Sequence, residues 1–327
     1  MKLVFMGTPV YALSCLEALI GAGHEIAAVF TQPDKPKNRG KQIQMTPVKE
    51  LALKHEIPVY QPLSLRKGED AEKSLEVLKE IAPECIVVVA YGQLLPESIL
   101  ELPKYGCINV HASLLPMYRG AAPIQRCIQF GEKKSGVTTM YMAKGLDTGD
   151  MILRDEVEIP ETMTGSELHD KLAEMGGKLI VRTLEELQAG TAPRIPQEGE
   201  TCYASMISKE ELKLDFTKPA VQVRDFIRAM SAAPCAYTML DGKRLKVYNA
   251  VLAEKNAAGQ PGEVTDPDAF TVACGEGAVR FTEVQPEGGK HMDVQAFLRG
   301  KKPAKGTMRP PSATCCSYSG VFFSIGE

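Results

Sequence analysis

Residues 85–92, CIVVVAYG, are nearly all apolar and rich in β-branched side chains. A run this short, free of charge and closed by Ala-Tyr-Gly, reads as a strand covered on both faces. A strand open to water on one side would alternate polar and apolar residues instead. Such a strand needs a layer above it and another below it. The neighbouring sequence supplies both. Strand signals recur at 2–7 (KLVFMG), 25–31 (EIAAVFT), 58–61 (PVYQ), 107–112 (CINVHA) and 136–143 (GVTTMYMA). Helical signals fall between or after them at 12–24, 47–55, 69–81, 123–130 and 165–190. The alternation predicts an α/β domain with a mostly parallel sheet and helices on both faces. Thr8 and Pro9 are expected to open the first helix as its N-cap and first residue, and residues 32–46 to form a polar loop.

The pattern changes after Gly190. The Pro-rich stretch TAPRIPQEGE, 191–200, reads as the start of a linker reaching 208. One helix follows, AVQVRDFIRAM at 220–230, and then several short strands with a hairpin signal on Asp241–Gly242 and a last helix at 294–300. Many short strands with few helices predict a small barrel. The expected division is a catalytic domain over 1–190, a linker over 191–208, a second domain over 209–306 and a tail over 307–327.

Composition narrows the function classes. No apolar run approaches the ~20 residues needed to cross a bilayer, and the chain's start reads as a strand, so no membrane role and a cytoplasmic location are expected. The nine cysteines form no Cys-x-x-Cys and no zinc-ligand spacing, which predicts free thiols and no metal. Cys85 and Cys107 lie in apolar runs and are expected in the core. Residues 1–206 carry 22 Lys and Arg against 27 Asp and Glu, and residues 207–327 carry 16 against 14. A polyanion would therefore have to be met by local patches. One lies at Lys35, Lys37, Arg39 and Lys41, opposed only by Asp34; by itself it equally describes a solvated loop.

The stretch NVHASLLPMYRGAAPIQ, 109–125, is the chemical focus. Residues two apart on a strand share a face, so Asn109 and His111 project together near the end of their strand. In open α/β sheets ligands bind beyond the carboxyl ends of strands. GLDTGD, 145–150, lies between two strand signals and is expected to bring Asp147 or Asp150 to the same mouth. There is no Gly-x-Ser-x-Gly elbow, no phosphate loop of the Walker type and no Gly-x-Gly-x-x-Gly fingerprint. An amide, an imidazole and a carboxylate without a covalent nucleophile suit direct attack by a substrate on a carbonyl. Taken alone, such a pair is more often a hydrogen-bonded core or capping pair, and an Asp in a Gly-rich turn more often turn chemistry.

Five stretches, FMGTP, TQPDKPKNRGKQIQMTPVK, VVVAYGQLLP, NVHASLLPMYRGAAPIQ and GLDTGDMI, followed by YASMISKEE and AFLRG, resemble the methionyl-tRNA formyltransferases in content and order over about residues 1–306. The resemblance implies a Rossmann-like formyltransferase domain and a C-terminal OB-like β-barrel. It implies 10-formyltetrahydrofolate as formyl donor, initiator methionyl-tRNA as acceptor and a monomer. By motif, Asn109, His111 and Asp147 are the implied catalytic set, with Asn109 and His111 both holding the oxyanion. Ser113, Leu114, Leu115 and Pro116 are implied to bind the folate, helped by the loops after Tyr91 and before Asp147. Arg39, Lys41, Lys37 and Lys209 are implied to contact the tRNA. Met117 and Tyr118 stand where relatives often carry Arg and Trp, and the chain has no Trp. The alternative reading is a folate-dependent formyltransferase acting on a small amine, such as a purine precursor or a sugar nucleotide.

Overall fold

The computed structural model describes residues 1–37, 42–253 and 259–306. The chain divides into two compact units, Met1–Leu212 with Arg228–Pro234, and Lys213–Ile227 with the residues from Cys235 onward.

Among the described residues, the first unit is built on a seven-stranded sheet. Its strands are β1 (Lys2–Gly7), β2 (Glu25–Phe30), β3 (Val59–Tyr60), β4 (Cys85–Val89), β5 (Cys107–His111), β6 (Lys134–Tyr141) and β7 (Met151–Glu158), in the order β7-β6-β5-β4-β1-β2-β3. The first five run parallel, and β6 and β7 add an antiparallel edge. All five residues of β4 are buried, as its apolar run requires. Helices α1 (Leu13–Gly21), α2 (Pro47–Lys54), α3 (Glu69–Ile81), α4 (Glu97–Leu100), α5 (Pro123–Gln129) and α6 (Gly165–Ala189) supply the covering layers. Leu78 of α3 and Ile99 of α4 join Val4, Met6, Ile86 and Val88 of the sheet in one core cluster. The long helix α6 starts on a capping box: the Thr164 side chain accepts from Glu167 N–H, and the Glu167 side chain accepts from Thr164 N–H. It packs closely on α1, since a Cβ at Gly177 would lie 2.6 Å from the Ser14 carbonyl oxygen.

Three local expectations change. Thr8 does not cap a helix: α1 begins at Leu13 after a 3-10 turn at Val10–Ala12, and Thr8 Oγ1 instead donates to the Tyr91 carbonyl at 3.1 Å. A hydroxyl at the end of β1 finds a carbonyl at the end of its neighbour before it finds the next turn's amides. The polar loop contains two short antiparallel strands, Lys35–Lys37 and Gln42–Gln44. Residues 191–208 are integrated into the first unit: Ile195 exchanges two backbone hydrogen bonds with Met151, and Tyr203–Ala204 pair with Arg119–Gly120. Composition reports that such a stretch is polar; it carries no information on which exposed edges it will pair with.

The second unit carries β8 (Ala236–Leu240), β9 (Lys243–Leu252), β10 (Val264–Asp266), β11 (Thr271–Ala273), β12 (Ala278–Pro286) and β13 (Met292–Asp293). They order as β8-β9-β12-β11-β10, with β13 on β12 and every pairing antiparallel. Register shifts between β9 and β12 curve the sheet, giving a small barrel-like domain. The hairpin from β8 to β9 turns on Asp241 and Gly242, both at positive φ (49° and 75°), the conformation that an Asp-Gly turn adopts. Phe270 lies at the centre of the core, with Phe281 and Phe297 at ring distances of 5.1 and 5.9 Å. Helices α7 (Ala220–Met230) and α8 (Val294–Gly300) complete the described elements; of α7, residues up to Ile227 belong to this unit.

Candidate active site

Strand β5 holds Asn109 and His111 on one face, between β4, where Val88 is the register partner of Asn109, and β6. The His111 side chain is almost completely buried. Its Nε2 lies 2.9 Å from the Tyr118 carbonyl oxygen. A carbonyl only accepts, so Nε2 carries the proton. The other ring nitrogen, Nδ1, faces Asp147 Oδ2 at 3.7 Å. Asn109 Nδ2 donates to Asp147 Oδ1 at 3.4 Å, and the Gly120 backbone N–H donates to Asp147 Oδ2 at 2.9 Å. One carboxylate thus gathers an amide, an imidazole and a peptide N–H from two further segments. The expectation that His111 aims a ring N–H at the substrate changes here. Its Nε2–H is committed to Tyr118, and its free face is turned to the acid.

Asp147 does not come from the sheet. The loop leaves β6 beside the start of β5, where Met142 N–H donates to the Cys107 carbonyl at 2.8 Å, yet it delivers Asp147 beside the last residue of β5. Asp147 adopts a left-handed conformation, φ 51°. Gly149 is needed for a different reason: a Cβ there would fall 1.8 Å from the Tyr141 carbonyl oxygen. Asp150 takes no part, its carboxylate meeting Arg194 at 3.5 Å. Gln197, from the segment read as a linker, donates through Nε2 to the carbonyls of Asp147 (2.9 Å) and Gly149 (2.8 Å) and accepts through Oε1 from Arg119 Nε at 2.9 Å.

The residue whose carbonyl fixes His111 is held on both sides. Ser113 Oγ donates to the Met117 carbonyl at 2.7 Å, and Tyr118 OH donates to Glu132 at 2.6 Å. Burial, together with Glu132, pushes the Tyr118 phenol well above its ordinary range. Ser113 and Leu115 are buried, Leu114 and Pro116 half-buried, and none of the four lines the cavity beside the three polar groups. The segment lies behind the lining residues and not among them. The reason is local: Thr138 of β6 accepts from Leu115 N–H and donates to the Ser113 carbonyl, drawing the segment onto the sheet.

That cavity measures about 620 Å³, within the range of small-molecule sites. Asn109, His111, Asp147 and Gly120 line it, as do Val88 and residues 90–94 at the end of β4. Tyr11 and His169 also line it, in edge contact at 5.4 Å. Nothing in the residues around His169 places it here beyond its helical spacing to Leu172 and Gly176, which marks the face α6 turns inward. The Gly120 N–H, the Tyr118 carbonyl and Gln197 have no such signal either: a backbone group has no sequence signature, and Gln197 lies in a stretch whose composition reads as a linker. Of the expected tRNA contacts, Arg39 and Lys41 lie outside the described residues, Lys37 is in a short strand, and Lys209 is exposed. Among the described residues no group of three or more His, Cys, Asp or Glu is placed to hold a metal ion, and no helix is long and apolar enough to cross a membrane.

The family model described as formyl transferase matches residues 1–184, and that of the formyl transferase C-terminal domain matches residues 206–302. The chain is 48% identical over 302 residues to the methionyl-tRNA formyltransferase of Clostridium botulinum (strain Alaska E43 / Type E3), covering 92% of this chain and 96% of that protein. It is 47% identical over 312 residues to the methionyl-tRNA formyltransferase of Desulforamulus reducens, covering 94% and 97%. Among solved structures, the sugar 3N-formyl transferase WlaRD, crystallised with dTDP and 5-N-formyl-THF, superposes with a TM-score of 0.64 at 19% identity, over 88% of this chain and 97% of that one. HypX from Aquifex aeolicus in complex with tetrahydrofolic acid gives a TM-score of 0.59 at 18% identity, over 94% of this chain; the chain spans about half the length of HypX. These two likenesses are of fold.

Proposed function

The chain belongs to the methionyl-tRNA formyltransferases, and we propose that it moves a formyl group from a reduced folate to the α-amine of the methionine on initiator tRNA. The observation that carries this reading is the meeting of Asn109, His111 and Asp147 at one wall of a cavity of about 620 Å³. The donor is a formylated tetrahydrofolate, read here as 10-formyltetrahydrofolate. It supplies a formyl carbon already activated as the amide of N10. The cavity fits it: the end of β4 offers peptide groups and apolar side chains for a flat ring system, and the polar trio lines the same cavity. The segment Ser113–Pro116 would act from behind, by fixing the loop that presents the Tyr118 carbonyl.

The roles follow from the donors and acceptors available. Asn109 has a second Nδ2–H beyond the one given to Asp147, and it stabilises the charge that develops on the formyl oxygen. Losing such a donor costs ~10²–10³ in rate. The amine loses a proton as it bonds to the formyl carbon, and N10 gains one as its bond breaks. Asp147 Oδ2, between the Gly120 N–H and His111 Nδ1, is the group set to take that proton and return it. His111, pinned at Nε2, keeps Nδ1 against the acid throughout.

The tRNA is read as gripped by Lys37, Arg39 and Lys41 of the basic loop, with Lys209 further along the chain, through backbone phosphates. The test offers formyl donor with charged initiator tRNA, and separately with a small amine such as a 3-amino sugar nucleotide. Transfer to the tRNA is expected; transfer to the small amine alone would reject the reading. Arg39→Ala is expected to raise KM for the tRNA and flatten its salt dependence. An effect confined to the folate's KM would remove the loop from the tRNA footprint.

A further inference from the structure

Asp147 occupies its place at a cost. Its φ of 51° lies in the left-handed region, which a residue with a Cβ holds only when its surroundings enforce it. The loop gains little from the sheet: its ladder contacts are at Tyr141, Met142 and Asp150, each several bonds from Asp147. The carboxylate is met by side-chain and backbone donors, but the backbone that carries it turns two carbonyls, of Asp147 and Gly149, toward a single amide nitrogen. From these contacts we infer that Gln197 is the positioning residue for Asp147, with Arg119 as its anchor; the inference rests on the formyltransferase reading above.

The chemistry selects glutamine. Arg119 Nε can only donate, so it fixes which end of the amide faces it: Oε1 turns to the guanidinium, and Nε2, with two N–H groups, turns to the two carbonyls. Glutamate would keep the Arg119 contact but set an oxygen against two carbonyl oxygens. Lysine would serve the carbonyls but lose the anchor. The same dipeptide supplies the other half of the support. Gly120, adjacent to Arg119, holds the carboxylate itself through its N–H. Pairing of Tyr203–Ala204 with Arg119–Gly120 ties the segment that carries Gln197 to the same two residues. Gln197 does not line the cavity, so it touches no reacting atom and acts through Asp147. This accounts for Arg119, the lone charge of its loop in the sequence.

Steady-state formylation of methionyl-tRNA by the full chain tests this. Gln197→Ala and Gln197→Glu are each expected to lower kcat about 10- to 100-fold, the order that a displaced catalytic group costs, with KM for folate and for tRNA changed less than about twofold. In the double variant Asp147→Asn/Gln197→Ala, kcat should equal that of Asp147→Asn alone, since residues acting through one another do not add. Gln197→Glu keeps the anchor and guards against loss of fold in Gln197→Ala. Wild-type kcat in Gln197→Glu, or effects that multiply in the double variant, would overturn the inference. A wild-type chain that formylates no methionyl-tRNA would instead overturn the functional reading.

Discussion

Gly120→Ala is the sharpest perturbation of the site that leaves every polar side chain in place. Gly120 has φ 114°, and a Cβ there would lie 2.8 Å from the Ala204 carbonyl oxygen and 2.9 Å from the Tyr203 ring. The exposed Tyr203 ring can turn aside, but the carbonyl does not yield easily, because Ala204 O already accepts from Ala121 and Ala122. Backbone strain of this kind costs about 1–3 kcal/mol, and overpacking adds about 1–3 kcal/mol. At about 2–4 °C per kcal/mol for a unit of this size, the melting temperature should fall by roughly 4–24 °C. The displaced N–H is a donor to a carboxylate, an interaction worth about 1.5–3 kcal/mol. Partial loss of it at the transition state is a fall of about 10- to 100-fold in kcat. Gly190→Ala is the control. Its φ is 71° but nothing lies within 4 Å, so strain of about 1–3 kcal/mol acts alone and kcat should stay at the wild-type value. Scanning calorimetry and formylation kinetics on the pair separate the effects. A Gly120→Ala chain with the melting temperature of the Gly190→Ala chain and wild-type kcat would show that neither the clash nor the N–H matters.

Three further outcomes are expected. Asn109→Ala should lower kcat by ~10²–10³ with tRNA affinity unchanged by filter binding; equal loss of binding would make it a structural residue. Burial pushes the Cys107 thiol up to about 12, so in native protein at pH 8 iodoacetamide should leave it unmodified by mass spectrometry, while half-buried Cys202 is labelled first among the described cysteines. For Asp34, burial opposes ionisation, but hydrogen bonds from Lys49 and Gln61 outweigh it and hold the carboxyl below its ordinary range. A depressed folded value gives stability that is complete above the unfolded pKa of ~3.9 and is lost as pH falls. The melting-temperature gap between wild type and Asp34→Asn should therefore be full at pH 6 and close in strong acid; a gap that widens on acidification would reverse the assignment.

The sequence made the frame legible where local chemistry and tertiary position agree. The apolar run of β4, the Asp-Gly turn between β8 and β9 and the helix over 165–189 all follow from residues acting on near neighbours. The polar pair on β5 was legible because the two-residue period is a property of any strand. What escaped depends on chain segments meeting at a distance. Thr8 carries the signature of a helix cap and spends its hydroxyl on Tyr91. SLLP lies next to the site in sequence but is drawn away by Thr138. Gln197 sits in a stretch whose Pro, Gly and charge content describes a tether, and nothing in that content specifies the two carbonyls it meets.

The pairing of residues 195 and 203–204 with the catalytic unit has a consequence for where the polypeptide can be cut. A fragment ending at Ala189 would hold the whole seven-stranded sheet and all of Asn109, His111 and Asp147, yet it would lack Gln197 and the pairing partner of Arg119–Gly120. The brace and not the sheet thus sets how far the chain must run to keep the site: beyond Ala204, and on to the Arg228–Pro234 stretch that returns to the same unit.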